Sequence, residues 1–332
     1  MFLKYSNSLF LFVLITTPLM VISSSSWSFI WMSLEINLMV FIPFLLSKMT
    51  PKYTNTAIKY FIIQSMGSIL LMTSFIYSLL KSNNFELNLS NEILTMSLLI
   101  KSGIPPFHFW MPQIIENMNF TQVFMLITWQ KVAPLFILAL FISEMLTVIM
   151  IMSSLVGMLG GLNVNSTKKL LAYSSMAHSS WMLMSLMVNM KVWVSYFMIY
   201  STMIIILTSS FHFMNIKKIS SFMAINNMNS LKMILIINLM SMAGLPPFMG
   251  FLAKLSVMNQ FMDKFNLIMI SGMMILSSIV TLWFYMKMLY TSIFIKSAHP
   301  KISSIKNIYM YKLMMMLMVT ANIMGPMIIL FF

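Results

Sequence analysis

Apolar runs of about 20 residues recur along the chain, which is the length that an α-helix needs to cross the hydrocarbon core of a bilayer. Inside that core only helices and closed barrels satisfy their own backbone hydrogen bonds. Sixty per cent of the 332 residues are hydrophobic and 8% are charged, a composition far too apolar for a soluble domain. The sequence therefore predicts an all-α, polytopic membrane protein.

The number of spans follows from the number of runs. We count eleven, at residues 9–26, 28–46, 57–80, 93–110, 121–141, 145–161, 170–187, 192–213, 231–261, 267–290 and 313–331. The ninth run is longer than one span requires, as expected if a non-helical segment interrupts it.

The pentapeptide Gly-x-Pro-Pro-Phe occurs twice, at 103–107 and 244–248, in the fourth and ninth runs. A Pro-Pro pair removes two backbone donors and so interrupts a helix, and the freed carbonyls must then face protein or water. Such discontinuous helices mark the transport route in many transporters. The residues expected to form the two breaks are Gly103, Pro105, Pro106, Gly244, Pro246 and Pro247.

The basic residues indicate the compartment. All 20 are lysine, cysteine is absent and methionine reaches 43, a bias typical of an A+T-rich genome that reads AUA as Met, as in animal mitochondria. The N-terminus shows no arginine-rich leader, so we expect a product made inside the organelle and placed in its inner membrane. Lack of cysteine argues against iron–sulfur ligation, and the scattered histidines against a haem pair. The lysines lie mostly at the ends of apolar runs, so nucleic-acid binding is not expected.

Loop charges set the expected orientation. With eleven spans, 13 lysines and one acid lie on the N-terminal side, against three lysines and four acids on the other. The positive-inside rule then places the N-terminus in the matrix and the C-terminus in the intermembrane space. The two breaks lie five spans apart, so their copies cross the membrane in opposite directions. We expect two inverted five-helix repeats, 1–141 and 142–290, with one discontinuous helix each, followed by a loop and C-terminal transmembrane helix at 291–332.

Five charged residues remain inside the expected spans: Glu35, Lys101, Lys131, Lys254 and Lys287. A charge at bilayer depth costs about 2.5 kcal/mol or more, so each is a functional candidate. Lys287 lies near a span end, where a long side chain reaches the interface. The structural alternative for the others is a buried ion pair, but one carboxylate cannot neutralise three ammonium groups. A buried lysine can instead take and release protons.

His178 lies mid-span among hydroxyl side chains, in the repeat counterpart of the span that holds Glu35. An imidazole in such a setting can relay protons with water, and a packing histidine bonded to a serine is the structural alternative. The remaining histidines, His108, His212 and His299, lie near span ends and are expected to be structural.

Several motifs coincide with the candidate residues: SLEIN at 33–37, Lys101 with GIPPFHFWMP at 103–112, QKVAP at 130–134, KKLLAYSS at 168–175, and GLPPF with GFLAK at 244–254. In combination they resemble the antiporter-like membrane subunits of mitochondrial respiratory complex I, the NADH–ubiquinone oxidoreductase. The expected eleven spans resemble the short animal chain 2 branch of that family. Position 113 is Gln, where some relatives carry an acid.

The resemblance implies a polar axis of Glu35, Lys101, Lys131 and Lys254, to which His178 adds a relay. It implies proton translocation driven by electron transfer in other subunits, where NADH, flavin, iron–sulfur clusters and ubiquinone are expected, with no cofactor or metal in this chain. The implied partners are other membrane-arm subunits, including neighbouring antiporter-like and small core chains, and phospholipids.

Two alternatives stay open at the level of sequence. A stand-alone antiporter would exchange Na⁺ or K⁺ for protons and would need an intramembrane acid pair, whereas Glu35 is alone among the spans. A structural spacer of the membrane arm would carry remnant charges only.

Overall fold

The computed structural model describes residues 2–46, 50–79, 84–214, 216–219, 221, 229–265 and 267–294. The predicted span at 313–331 and His299 lie outside these residues. In the described part the chain is helical, apart from short turns and one isolated bridge between Ser166 and Lys218. The all-α prediction is thereby confirmed.

The chain divides into two compact units, Met1–Ile149 and Met150–Phe332. The first holds seven described helices: α1 (Phe2–Ser23), α2 (Trp27–Leu45), α3 (Pro51–Leu79), α4 (Asn84–Ser102), α5 (Trp110–Asn117), α6 (Phe120–Ile127) and α7 (Trp129–Leu140). Helix α8 (Met145–Leu162) begins at the end of this unit. The second unit continues with α9 (Thr167–Val188), α10 (Met190–Phe213), α11 (Asn229–Ala243), α12 (Met249–Phe265) and α13 (Ile268–Phe294).

Six segments of the described residues are long and apolar enough to cross a membrane: Trp27–Leu45, Pro51–Leu79, Phe120–Leu140, Met145–Leu162, Met190–Phe213 and Ile268–Tyr290. Helix α9 has sufficient length at 22 residues but carries many hydroxyls. Its residues are buried continuously from Ser174 to Met187, so α9 is surrounded by protein rather than by lipid. Five of its serines donate to the carbonyl three residues earlier, which satisfies their hydroxyl protons inside the helix.

Both Gly-x-Pro-Pro-Phe segments interrupt helices, as the sequence predicts, and they do so with the same backbone pattern. Gly103 and Gly244 have φ of 68° and 86°, and both Pro-Pro bonds are cis. The residue after each glycine donates its N–H five residues back, Ile104 to Leu99 and Leu245 to Met240. Each glycine can adopt this left-handed conformation because it has no Cβ.

The observed bounds differ from the predicted spans in two places. The fourth span was expected to end at 110, yet the chain continues after the break as α5 through Asn117. The polar residues of α5 hid it from an apolar-run count. The fifth span is divided at Thr128, where the Lys131 N–H bonds to the Thr128 carbonyl in a tighter turn than an α-helix makes.

Candidate functional site

Three lysines of the described spans are buried inside the protein. The exposed fractions of Lys101, Lys131 and Lys254 are 6%, 1% and 8%, whereas Lys287 is exposed. Lys131 is among the largest fully buried side chains of the described residues. The sequence thus separated the three interior lysines from the one that reaches a helix surface.

Lys101 lies in the last turn of α4, immediately before the first break. Its stem passes against Gly67 of α3, where an added Cβ would come within 3.0 Å of the Lys101 Cγ. The amide of Gln64, one turn earlier on α3, donates to the Lys101 backbone carbonyl at 3.1 Å. That carbonyl has lost its helical partner at the break, so Gln64 stabilises the end of α4.

Glu35 of α2 lies close enough to Lys101 for the two opposite charges to attract each other. Its carboxylate is half-buried, and the Oε1 atom is buried without a hydrogen-bond partner in the described part of the chain. A buried charged oxygen without a hydrogen bond costs free energy. The attraction to the Lys101 ammonium offsets part of that cost.

A reciprocal amide pair connects α2 and α7. The Asn37 Nδ2 donates to the Gln130 Oε1 at 2.8 Å, and the Gln130 Nε2 donates back to the Asn37 Oδ1 at 3.0 Å. Asn37 follows Glu35 by two residues and Gln130 directly precedes Lys131. The pair therefore fixes the helix of the acid against the helix of the fully buried lysine.

A small cavity in the first unit collects several of these polar groups. It has room for about one water molecule. Its walls are formed by Leu34, Asn37, Leu38, Tyr60, Gln64, Lys101, Gln130 and Pro134. Lys101 thus shares the cavity with three amides and a phenol. Glu35 and Lys131 do not line the cavity, but each directly follows a residue that does, Leu34 and Gln130.

In the second unit, Lys254 reaches back from α12 to the end of α11. Its ammonium donates to the carbonyl of Ala243 at 3.0 Å and to that of Met242 at 3.4 Å. These carbonyls lose their helical partners at the second break, and a cation is favoured at the C-terminal end of a helix. The ammonium also lies 5.9 Å from the centre of the Trp181 ring.

His178 is buried on α9 and contacts two tyrosines of α10. Its Nδ1 lies 2.8 Å from the hydroxyl oxygen of Tyr196, and its ring centre lies 5.0 Å from that of Tyr200. The partner of Nδ1 is therefore a phenol of α10. Either atom of the pair can carry the shared proton.

His178 and Lys254 line the same cavity, which again has room for about one water molecule. The other lining residues are Ser174, Ala177, Trp181, Ser277, Ser278, Thr281 and Tyr285. The Tyr285 hydroxyl is buried and lies beside Ser174 in this wall. A water at this position would have an imidazole, an amine and hydroxyls within the cavity wall.

The neutral polar residues of both cavities are not among the residues that the sequence predicts for the site. Asn37, Gln64 and Gln130 carry no charge, although each interrupts an apolar run. Tyr196 and Tyr200 are one helical turn apart, which places both on the face of α10 that meets His178. That spacing was the available signal.

Each unit thus holds an amine in a small polar cavity beside a helix break. Amine, imidazole and phenol groups exchange protons, and a single water can connect them. Within the described residues, acids and histidines form no group of three or more able to hold a metal ion.

Comparison with known proteins gives a consistent set of relatives. The family described as "NADH:quinone oxidoreductase/Mrp antiporter, TM" matches residues 24–281. NADH-ubiquinone oxidoreductase chain 2 of Anopheles gambiae is 38% identical over 312 residues, covering 92% of this chain and 90% of that protein. The Locusta migratoria chain 2 is 35% identical over 327 residues, covering 96% and 95%.

Solved structures share the fold. A chain of respiratory complex I from Thermus thermophilus superimposes with a TM-score of 0.86 at 18% identity, covering 97% of this chain and 78% of that one. A chain of the Mrp complex from Dietzia gives a TM-score of 0.76 at 15% identity, covering 87% and 60%.

Proposed function

The chain belongs to the NADH-ubiquinone oxidoreductase chain 2 family, and from this membership we propose that it is an antiporter-like core subunit of respiratory complex I that translocates protons across the mitochondrial inner membrane. NADH-to-ubiquinone electron transfer in other subunits supplies the driving force. The residues proposed to bind and release the proton are Glu35, Lys101, Lys131, His178 and Lys254.

The observation that carries this proposal is the pairing of a buried amine with a polar cavity in each unit. Lys101 shares its cavity with three amides and a phenol, and Lys254 shares its cavity with His178. A spacer subunit has no need for buried amines beside cavities that admit water. Such groups are costly at bilayer depth and mark proton routes in membrane proteins.

The proposed charge step begins at Glu35. Its attraction to Lys101 favours the ammonium form, so a change of charge near Glu35 alters how readily Lys101 releases its proton. Charges inside the protein are less screened than charges in water, so the loss of one partner charge favours transfer of the proton to another group.

In the second unit, Lys254 binds a proton while its ammonium rests on the carbonyls of Met242 and Ala243. Water in the shared cavity would carry the released proton to His178, and the Tyr196 hydroxyl would hold the far side of the imidazole. The helix break makes the Met242 and Ala243 carbonyls available to the ammonium, because they accept no hydrogen bond from a backbone N–H of the next helical turn.

The finer topology is also proposed. Eleven spans in two inverted five-helix repeats, with the N-terminus in the matrix, agree with the lysine asymmetry and with the matching backbone at the two breaks. The methionine-rich, arginine-free composition supports encoding by the organelle genome.

The proposed partners are the other membrane-arm subunits, including antiporter-like and small core chains, together with phospholipids. Flavin, iron–sulfur clusters and the sites for NADH and ubiquinone are proposed to lie in other subunits of the complex, with no redox centre in this chain.

The test is NADH-driven proton pumping by the complex carrying Lys131→Met, with Lys287→Met as the matched control because that lysine is exposed. We expect pumping to fall at least tenfold with Lys131→Met, on the scale of a lost proton-transfer group, and to remain unchanged with Lys287→Met. Unchanged pumping by an assembled Lys131→Met complex would remove the basis of the proposal. Sodium- or potassium-driven proton exchange by the isolated chain in liposomes would favour the stand-alone antiporter.

A further inference from the structure

Four lysines lie together at one end of the second unit, on two chain segments that are tied by their backbones. Lys168 and Lys169 are in the first turn of α9, and Lys217 and Lys218 follow α10. The Thr167 N–H donates to the Lys217 carbonyl at 3.2 Å, and the Ile219 N–H donates to the Asn165 carbonyl at 3.0 Å. The Thr167 hydroxyl adds a bond of 2.9 Å to the Ile216 carbonyl.

The exposed positive charge at this end of the unit comes from Lys217 and Lys218, while Lys168 and Lys169 are half-buried. Among the described residues of the unit, the acid is Asp263. It adjoins Lys264, whose ammonium bonds to the carbonyls of Met187 and Val188 at the opposite end of α9. The acid and the four lysines are thus separated by the length of that helix.

An exposed apolar stripe on α10 leads to the same place. Val194, Met198, Ile205 and Phe213 are all exposed, and their spacing places them on one broad face of the helix, which the exposed His212 shares near the end of α10. From Ile205 to Phe213 the helix rises about 12 Å, close to the depth of one bilayer leaflet. The stripe ends at Phe213, a few residues before Lys217.

We propose that this surface binds an anionic phospholipid, with its phosphate at Lys217 and Lys218 and an acyl chain along the α10 stripe. Basic residues at a membrane surface attract lipids with net negative charge, whereas the phosphate of a zwitterionic lipid is already balanced by its own cation. The site rests on the phospholipid partners proposed above and involves none of the proton-binding residues.

The probe is phosphatidylglycerol with a photoactivatable group in its acyl chain, added to the intact detergent-solubilised complex. We expect it to label α10 within 194–213. Unlabelled phosphatidylglycerol should compete, and phosphatidylcholine and inorganic phosphate should not. Replacing both lysines, Lys217→Gln with Lys218→Gln, should raise the concentration of phosphatidylglycerol needed for competition about 25-fold, since each surface lysine contributes about fivefold.

Lys191→Gln is the matched control, because Lys191 is exposed at the other end of α10, and it should leave competition unchanged. The double substitution retains the backbone hydrogen bonds that tie the two segments, so assembly on a native gel should be normal. Equal competition by phosphatidylcholine or inorganic phosphate, no shift in the double variant, or an equal shift in Lys191→Gln would each overturn the proposal. If α10 crosslinks to a neighbouring subunit and the lipid probe does not label it, the stripe is a protein interface and the proposal is wrong.

Discussion

The imidazole Nδ1 of His178 lies 2.8 Å from the hydroxyl oxygen of Tyr196, and both groups are buried. The bond joins α9 to α10 and fixes which edge of the ring faces away from the cavity shared with Lys254. Tyr196 does not line that cavity. It acts on the proposed proton route through His178, as a positioning residue.

Replacing Tyr196 with Phe should therefore slow pumping while leaving the cavity intact. The change removes one hydrogen bond and leaves the Nδ1 without its phenol, at a cost of about 1–3 kcal/mol. We expect NADH-driven pumping to fall about tenfold. Tyr290→Phe, at an exposed tyrosine of α13, should have no effect. If His178 acts through this bond, adding Tyr196→Phe to a His178→Gln variant should cause no further loss, and an additive loss would argue against the positioning role.

Lys254 has two separable roles, since its ammonium caps the end of α11 and is also proposed to carry a proton. Arginine can cap the same carbonyls but does not release its proton at physiological pH. Lys254→Arg should assemble with near-normal thermal stability and lose pumping. Lys254→Met should lose pumping and about 1–2 kcal/mol of stability, as a helix end loses its cation.

Melting curves and pumping rates of the assembled complexes separate these outcomes. Normal pumping with Lys254→Arg would show that the residue is only a cap. Equal stability of the Arg and Met variants would show that the cap contributes nothing.

The glycine at the second break should tolerate no side chain. Gly244 has φ of 86°, and an added Cβ would lie 2.9 Å from the Lys254 Nζ. Gly244→Ala should cost at least 1–2 kcal/mol for the left-handed backbone and displace the ammonium as well. Gly272 of α13 is the control, because nothing lies within 4 Å of a Cβ added there. Gly272→Ala should be neutral or slightly stabilising. Thermal unfolding measures the difference, and equal melting temperatures for the two variants would falsify this account of the break.

Much of the fold was predictable because bilayer physics leaves few options. Apolar runs and Pro-Pro pairs mark helices and breaks without any tertiary information, and both breaks lie where the sequence predicts them. Helix α5 and the division at Thr128 were not predictable in this way. The first is too polar and short to register as a span, and the second depends on backbone hydrogen bonding that a hydrophobic run does not reveal.

The charged residues of the candidate site were predictable from the sequence, and its neutral polar residues were not. Lys101, Lys131 and Lys254 stand out because an amine at bilayer depth is costly. Their neutral neighbours carry no such mark. The reciprocal bonds of Asn37 with Gln130 depend on how α2 packs against α7. The cap formed by Lys254 depends on the side chain reaching the Ala243 carbonyl, 11 residues earlier in the chain.

The amide pair between α2 and α7 should show strong energetic coupling. Asn37→Leu alone leaves the half-buried Gln130 amide without its two bonds, and Gln130→Leu leaves the buried Asn37 amide without them, at a cost of about 1–3 kcal/mol each. The double substitution removes both polar groups together, so it should be less destabilising than the sum of the single changes by about 0.5–3 kcal/mol.

The same cycle tests whether the pair positions Glu35 and Lys131 or only joins two helices. Thermal unfolding of the assembled complex gives the coupling, and NADH-driven pumping gives the functional effect. We expect the double variant to regain stability without regaining pumping, because two leucines pack but do not fix α2 in register with α7 as two directional hydrogen bonds do. Recovery of both would assign the pair a purely structural role, and additive destabilisation would show that the two amides are not coupled.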